Sequence, residues 1–188
     1  MYKLFITDES QPDSILHPDE HREFKSQKRQ QEYVRGRYAA KRALGGDFAV
    51  LSGVFQQPYV VGTNLGVSIS HSGKWAAALA FPESHPMAID IERIDPKRHK
   101  AIESQMTDRE LAMIAEVENG HFVFWTAKEA LSKVLRCGLM TSFKILEIDT
   151  AGSNEATFKH FPQYKAHSFF KEDLVCTIVL PKNVPLSL

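Results

Sequence analysis

The feature that most limits what this chain can fold into is a run in which isoleucine alternates with acid. In PMAIDIERIDP, residues 86 to 96, Ile89 and Ile91 flank Asp90, and Glu92 follows. Side chains two apart on a strand share a face. A strand here buries its isoleucines on one side and sets Asp90 and Glu92 together on the other. Two carboxylates on one face repel unless a cation intervenes. A second run, FWTAKEALSKVL at 124 to 135, reads as a helix with Glu129 and Lys133 four residues apart and so on one side. Phe122, Phe124, Trp125, Ala130, Leu131 and Leu135 make this region mostly apolar. Such a helix packs on a core, and an acid carried into a core needs partners.

If this strand and helix pack together, three carboxylates and an ammonium converge. Three oxygen ligands suit a hard divalent ion, Mg²⁺ above all, which commonly binds a substrate phosphate as well. Lys133 would then face that phosphate, and the chemistry would be that of phosphoryl groups. Plainer readings compete. Acids are common on exposed strand faces, and Glu129 with Lys133 could form a surface ion pair worth about 0.2–0.5 kcal/mol. The Ile-Asp-Ile-Glu alternation and the apolar helix argue against both.

The 188 residues are 43% hydrophobic, enough for one domain or two small ones with a proper core. Lys plus Arg number 23, as do Asp plus Glu, so the zero net charge offers no electrostatic case for nucleic-acid or membrane binding. Residues 21 to 42 are locally different, dense in Lys and Arg with only Glu23 and Glu32 opposing them. Such a patch suits a small polyanion better than a duplex. Cys137 and Cys176 are expected as reduced thiols at or near the core. The N-terminal apolar stretch is too short for a signal peptide. No run approaches the roughly 20 apolar residues of a membrane helix. A reducing cytoplasm is the expected location.

Residues 17 to 44 read as one long helix ended by Gly45-Gly46. GVSISHSGKWAAALAF, 66 to 81, reads as a hairpin with its turn at HSGK, although alanines are weak strand formers. Residues 107 to 118 and 121 to 136 read as helices, the first opened by a capping box of Thr107 and Glu110. Strands are expected at 143–148, 156–161, 165–170 and 174–180. AAKRAL at 39–44 echoes TAKEAL at 126–131. Each sits late in a helix, and each half ends in an apolar strand. The expected fold is therefore α+β, in two similar halves (residues 1–90 and 91–188) related by a pseudo-twofold, with a shared cleft.

Two further groups carry chemistry. Ser70, His71, Ser72 and Gly73 offer hydroxyl, imidazole and backbone N–H groups suited to an anion, or form a plain turn. Arg37 and Lys41 share one helix face, with Arg22 and Lys25 a turn or more upstream. A solvated charged face is the competing reading.

Together, GRYAAKRAL, GVSISHSGKWAAALAF, PMAIDIERIDP and FWTAKEALSKVL resemble the 4′-phosphopantetheinyl transferase family, in its single-chain, pseudo-dimeric, Sfp-like type. The resemblance spans roughly residues 18 to 145. Its signature is a D-x-E strand followed by a W-[ST]-x-K-E-x-x-x-K helix. It implies Mg²⁺-dependent transfer of the phosphopantetheine arm of coenzyme A (CoA) to a serine of an apo acyl or peptidyl carrier protein, releasing 3′,5′-ADP. It also implies that Asp90, Glu92 and Glu129 hold the metal. By the same resemblance Lys133 and His71 contact the CoA phosphates, while Arg22, Lys25 and Arg37 hold the 3′-phosphate end. Ser70 and Pro58 fall in segments lining the nucleotide, and Glu110 matches an acidic position near the metal, although its capping box is reason enough for it.

A serine hydroxyl needs a base. Glu129 is the first choice and Glu92 the alternative, since a cation lowers the pKa of a tight ligand. One departure is Gln57, where the resemblance would have lysine, and it implies weaker CoA binding. Lys97, Arg98 and Lys100 are expected contacts for an acidic carrier. Two halves in one chain make a monomer sufficient. Two other readings stay open: a non-catalytic module that binds CoA or a nucleotide, and a different Mg²⁺-dependent phosphoryl enzyme. The absence of a P-loop argues against an NTPase.

Overall fold

A computed structural model describes residues 2–54, 56–138 and 141–186. The chain divides into two compact units, one ending at Ile89 and the other beginning at Asp90.

In the first unit β1 (Lys3–Thr7) precedes α1 (Gln27–Leu44), β2 (Val50–Ser52), β3 (Pro58–Val60), β4 (Leu65–Ser72) and β5 (Trp75–Pro82). An antiparallel sheet runs β1-β5-β4, and β2 pairs with β3 as a short ribbon. The alanines of β5 are explained by packing. Ala39, Ala40 and Ala43 of α1 share a buried cluster with Ala76, Ala78 and Ala80. Small side chains on both surfaces allow close approach of helix and sheet, and this contact outweighs weak strand propensity.

Two expectations need correction here. The helix begins at Gln27 rather than residue 17, because Ser26 caps it by accepting a hydrogen bond from Arg29 N at 3.3 Å. Between residues 17 and 26 the helical content is a 3₁₀ turn, Pro18–Glu20, and Arg22 and Lys25 sit in neither helix nor strand. The hairpin turn is tighter than expected. Ser72 pairs with Trp75, so His71 belongs to β4 and only Gly73 and Lys74 form the loop. Gly73 takes φ +60° there, as a two-residue hairpin turn demands.

The second unit's sheet runs β6-β10-β9-β8-β7. These are β6 (Ala88–Arg93, entering from the first unit), β7 (Ile148–Ala151), β8 (Glu155–Phe158), β9 (Tyr164–Lys171) and β10 (Leu174–Pro181). The helices are α2 (His99–Glu103), α3 (Asp108–Ile114) and α4 (Gly120–Val134). Residues 143–146 form a 3₁₀ turn instead of a strand. The α3 helix stops at Ile114, short of residue 118. A Cβ on Gly120 would stand 2.3 Å from Ile114 O, so a glycine is required where α4 starts against the end of α3.

The two halves are similar, as the sequence echo implies. In each, an outer strand (β1, β6) flanks a mostly apolar, buried strand (β5, β10) that is hairpin-paired to another (β4, β9), with a long helix (α1, α4) earlier in the chain than that hairpin. The lysine common to both echoes is buried in each half. In the first, Lys41 Nζ lies 3.2 Å from Glu20 Oε2, which also accepts from His17 N, while Glu20 Oε1 accepts from Val50 N at 2.8 Å. In the second, Lys128 Nζ lies 2.6 Å from Glu110 Oε2, which also accepts from Thr107 N, while Glu110 Oε1 accepts from Ile148 N at 2.9 Å. Each glutamate closes a capping box, and each ties it to the first residue of a strand. One clamp has thus been built twice.

Glu110 and Lys128 are both fully buried. Lys128→Met alone leaves a buried carboxylate uncompensated and is expected to cost about 3–5 kcal/mol. Adding Glu110→Gln removes the buried charge and keeps an acceptor for one of the two backbone amides, and should recover at least about 1 kcal/mol. Urea denaturation of both single variants and the double variant measures this coupling. Strictly additive losses would show the pair to be independent.

Candidate functional site

In the second unit, β6 and α4 supply the acidic group. Asp90 is buried between Ile89 and Ile91 along β6. Lys133 Nζ donates to Asp90 Oδ1 at 2.7 Å, joining α4 to β6. Glu92 lies 2.6 Å from Arg98 Nη1. Glu129 is pushed up to about 7, by burial first and then by the Asp90 carboxylate, with Glu92 adding to it and Lys133 and Arg98 opposing it. The three acids therefore act on one another electrostatically.

Among the described residues, no group of three or more His, Cys, Asp and Glu side chains stands ready-made around a metal position. The chemistry of the set is nevertheless that of a hard-cation site. It holds three carboxyl groups, one of them pushed up to about 7 by burial and by its neighbours' charge. A divalent cation would relieve that repulsion.

The other signature residues fix α4. Trp125 packs on Phe143 with ring centroids 5.0 Å apart. Thr126 Oγ1 lies 2.6 Å from Thr177 Oγ1 on β10, which lies 2.8 Å from Ser168 Oγ on β9. Lys128 makes the clamp. Only Glu129 and Lys133 of the motif reach the acidic group. Glu110 is not brought to it: both its oxygens are taken by Thr107, Lys128 and Ile148.

The first unit contains a cavity of about 700 Å³ lined by basic residues. Arg22, Lys25 and Arg37 all reach it, and so do Pro58 and His71. Ser70 does not line it; it is buried, and the alternation of β4 turns it away from the face of Ile69 and His71. Arg37 Nη2 donates to Ser52 Oγ at 3.2 Å, and burial pulls its guanidinium below the ordinary value. Sequence reasoning missed Arg29, Tyr33 and Ser52 on this wall. The spacing from Tyr33 to Arg37, one helical turn, was the available signal. At the Gln-Gln-Pro segment, Gln56 and Pro58 line the cavity, whereas the Gln57 side chain lies over Gly53, where a Cβ would stand 2.3 Å from its Nε2. The expectation that attached the missing charge to Gln57 therefore concerns a side chain that packs on its own loop.

No helix among the described residues is long and apolar enough to cross a membrane. Cys137 and Cys176 are free thiols, Cys176 buried and pushed up to about 12 by that burial.

Two family models match the chain in tandem. The 4′-phosphopantetheinyl transferase N-terminal domain matches residues 20–81, and the 4′-phosphopantetheinyl transferase superfamily matches residues 86–179. No curated protein matches it.

In metal-free solution the raised Glu129 gives stability a pH slope. Native Glu129 keeps its proton to about pH 7, whereas an ordinary glutamate loses it near 4.5. The native state thus binds more protons within that window, and stability falls as pH rises through it. The Glu129 contribution is fully present below the window and is lost as pH passes the native value. Glu129→Gln is expected to flatten this segment of a thermal-midpoint profile taken in EDTA between pH 4 and 8. An unchanged slope would show that Glu129 is not the titrating group.

Proposed function

The chain belongs to the 4′-phosphopantetheinyl transferase superfamily, and from that premise we propose that it performs Mg²⁺-dependent transfer of the phosphopantetheine arm of CoA to a serine of an apo acyl or peptidyl carrier protein. The family moves this arm from CoA to carrier proteins, and the chain is a transferase of that type. The observation that carries the finer reading is the crowding of Asp90, Glu92 and Glu129, with Lys133 bound to Asp90.

In this reading Asp90, Glu92 and Glu129 hold the metal. Bound there, Mg²⁺ supplies positive charge to a pyrophosphate whose leaving side is gaining negative charge. Lys133 contributes a fixed positive charge, worth most where it meets charge that develops in the transition state. The serine oxygen forms a bond to the phosphorus carrying the pantetheine arm. The bond from that phosphorus to the oxygen of 3′,5′-ADP breaks, and the serine proton passes to a base. Glu129 is the first choice for that base; its value of about 7 belongs to the site without a cation, and a cation bound there would lower it. Glu92 is the alternative, and its Arg98 partner at 2.6 Å makes it the less available of the two. Glu110 acts at one remove, by fixing α4 through Lys128.

The basic cavity of the first unit takes the 3′-phosphate end of CoA, with His71 toward the remaining phosphates. Four cationic side chains line it (Arg22, Lys25, Arg29 and Arg37), with Glu23 and Glu32 as the acids among its described lining residues and Glu20 Oε1 3.9 Å from Arg37 Nε behind them. An acidic carrier would meet exposed Lys97 and Lys100, which follow β6. The reading places the enzyme in a reducing cytoplasm, acting as a monomer.

Intact mass spectrometry of apo carrier proteins incubated with the chain, CoA and Mg²⁺ tests this. A gain of about 340 Da, the size of the transferred arm, is expected with metal and not with EDTA. Glu129→Gln should lower the rate at least about a hundredfold. Full transfer in EDTA would remove the metal from the mechanism. CoA binding without transfer to any carrier would support a binding module instead.

A further inference from the structure

The cavity of the first unit contains an aromatic residue to which the proposed reaction gives no task. The Tyr33 ring lies under two guanidiniums: Arg22 Cζ is 4.3 Å and Arg37 Cζ 4.4 Å from its centroid. Phe24 stands 5.0 Å from the same ring and supports Arg22 as well, at 4.8 Å. The Tyr33 hydroxyl donates to Glu20 O at 2.8 Å. Glu20 is the clamp carboxylate of this half, and its Oε1 lies 3.9 Å from Arg37 Nε. The ring is therefore anchored to the residue that already fixes α1.

Two guanidiniums repel each other, and Arg22 comes from a segment that is neither helix nor strand. An aromatic face attracts cations through its quadrupole, and arginine stacks on it readily. A single ring that attracts both groups keeps them near one another before an anion arrives. Ordering them in advance removes part of the entropic cost of binding. Paired guanidiniums presented this way match a phosphate monoester, which accepts charge-assisted bonds on several oxygens.

We propose that Tyr33 is a positioning residue that sets Arg22 and Arg37 as one paired clamp for a terminal phosphate monoester. It thereby makes the cavity prefer a nucleotide bearing a 3′-phosphate over the same nucleotide without one. The proposal rests on the reading of this cavity as the nucleotide end of the CoA site. Its subject is the discrimination itself, which belongs to the aromatic ring as well as to the charges.

Calorimetric titration of the full chain with 3′,5′-ADP and with 5′-AMP tests it, alongside transfer kinetics with CoA and with 3′-dephospho-CoA. The wild-type chain is expected to bind 3′,5′-ADP the more tightly. Tyr33→Leu should shrink that preference about tenfold and leave 5′-AMP affinity nearly unmoved. In turnover it should raise KM for CoA far more than it lowers kcat. Tyr33→Phe loses the hydroxyl bond to Glu20 O but keeps the ring, and should keep the preference. Arg22→Gln, at an exposed position, should shrink the preference whether or not Tyr33→Leu folds. Equal losses for both nucleotides in Tyr33→Leu would mark a merely structural residue and overturn the proposal. So would an intact preference in Tyr33→Leu or in Arg22→Gln, or one lost in Tyr33→Phe. The outcomes separate the two claims. Nucleotide preference without any transfer would sink the proposed reaction and spare the clamp. Transfer with equal use of CoA and 3′-dephospho-CoA would do the reverse.

Discussion

A buried carboxylate clasped by a buried lysine is the interaction on which both halves of this chain depend. Removing two such charges from water costs several kcal/mol per ion, and attraction alone does not always offset it. Here each carboxylate also accepts two backbone N–H groups, so its lone pairs are used as well as its charge. The result is a joint of three elements: a capped turn or helix, a long helix, and the first residue of a strand. Its value lies in specificity more than in net stability. Burial of Lys128 and Glu110 is tolerable in one register of α4 only, the register that also seats Thr126 against Thr177 on β10.

That register decides where the chemistry sits. With Trp125, Thr126 and Lys128 spent on docking, Glu129 and Lys133 are left to meet Asp90 and its neighbour Glu92. The helix signature is thus two overlapping sets, one that holds the helix and one that reacts. Glu110 belongs to the first set, and its counterpart Glu20 shows why. A like arrangement exists in the other half, where Lys41 also reaches Asp47 and Phe48 O and Arg42 stands in the place that Glu129 holds in the echo.

Each unit carries a local charge cluster, basic in the first and acidic in the second, despite a neutral total. The first gathers arginines and lysines around a cavity, with Arg37 held against the cost of its own burial by Tyr33 and Glu20. The second gathers carboxylates, and burial first and their repulsion second push Glu129 up to about 7. A polyphosphate ligand and a divalent cation are the natural complements of these two environments.

The amino-acid sequence by itself determined the acidic strand, the pairing of Glu129 with Lys133 along one helix, the doubled α+β pattern and the basic composition of residues 21 to 42. All of these are periodicities of two or of 3.6, or local charge densities, and they survive without tertiary context. Tertiary structure alone decided the rest. It showed Lys41 and Lys128 to be buried clamps rather than ordinary helix surface, since burial depends on what packs over a helix. It supplied the reason that alanine-rich 75–82 holds as the hairpin strand the sequence reads there: α1 offers alanines in return. It started α1 at Gln27, since a single Ser26 hydroxyl outweighed ten residues of plausible helix composition. And it brought Arg22, from an extended segment, and Arg37, from a helix, onto one face-seeking ring, a convergence no spacing rule encodes because the segment between them is irregular.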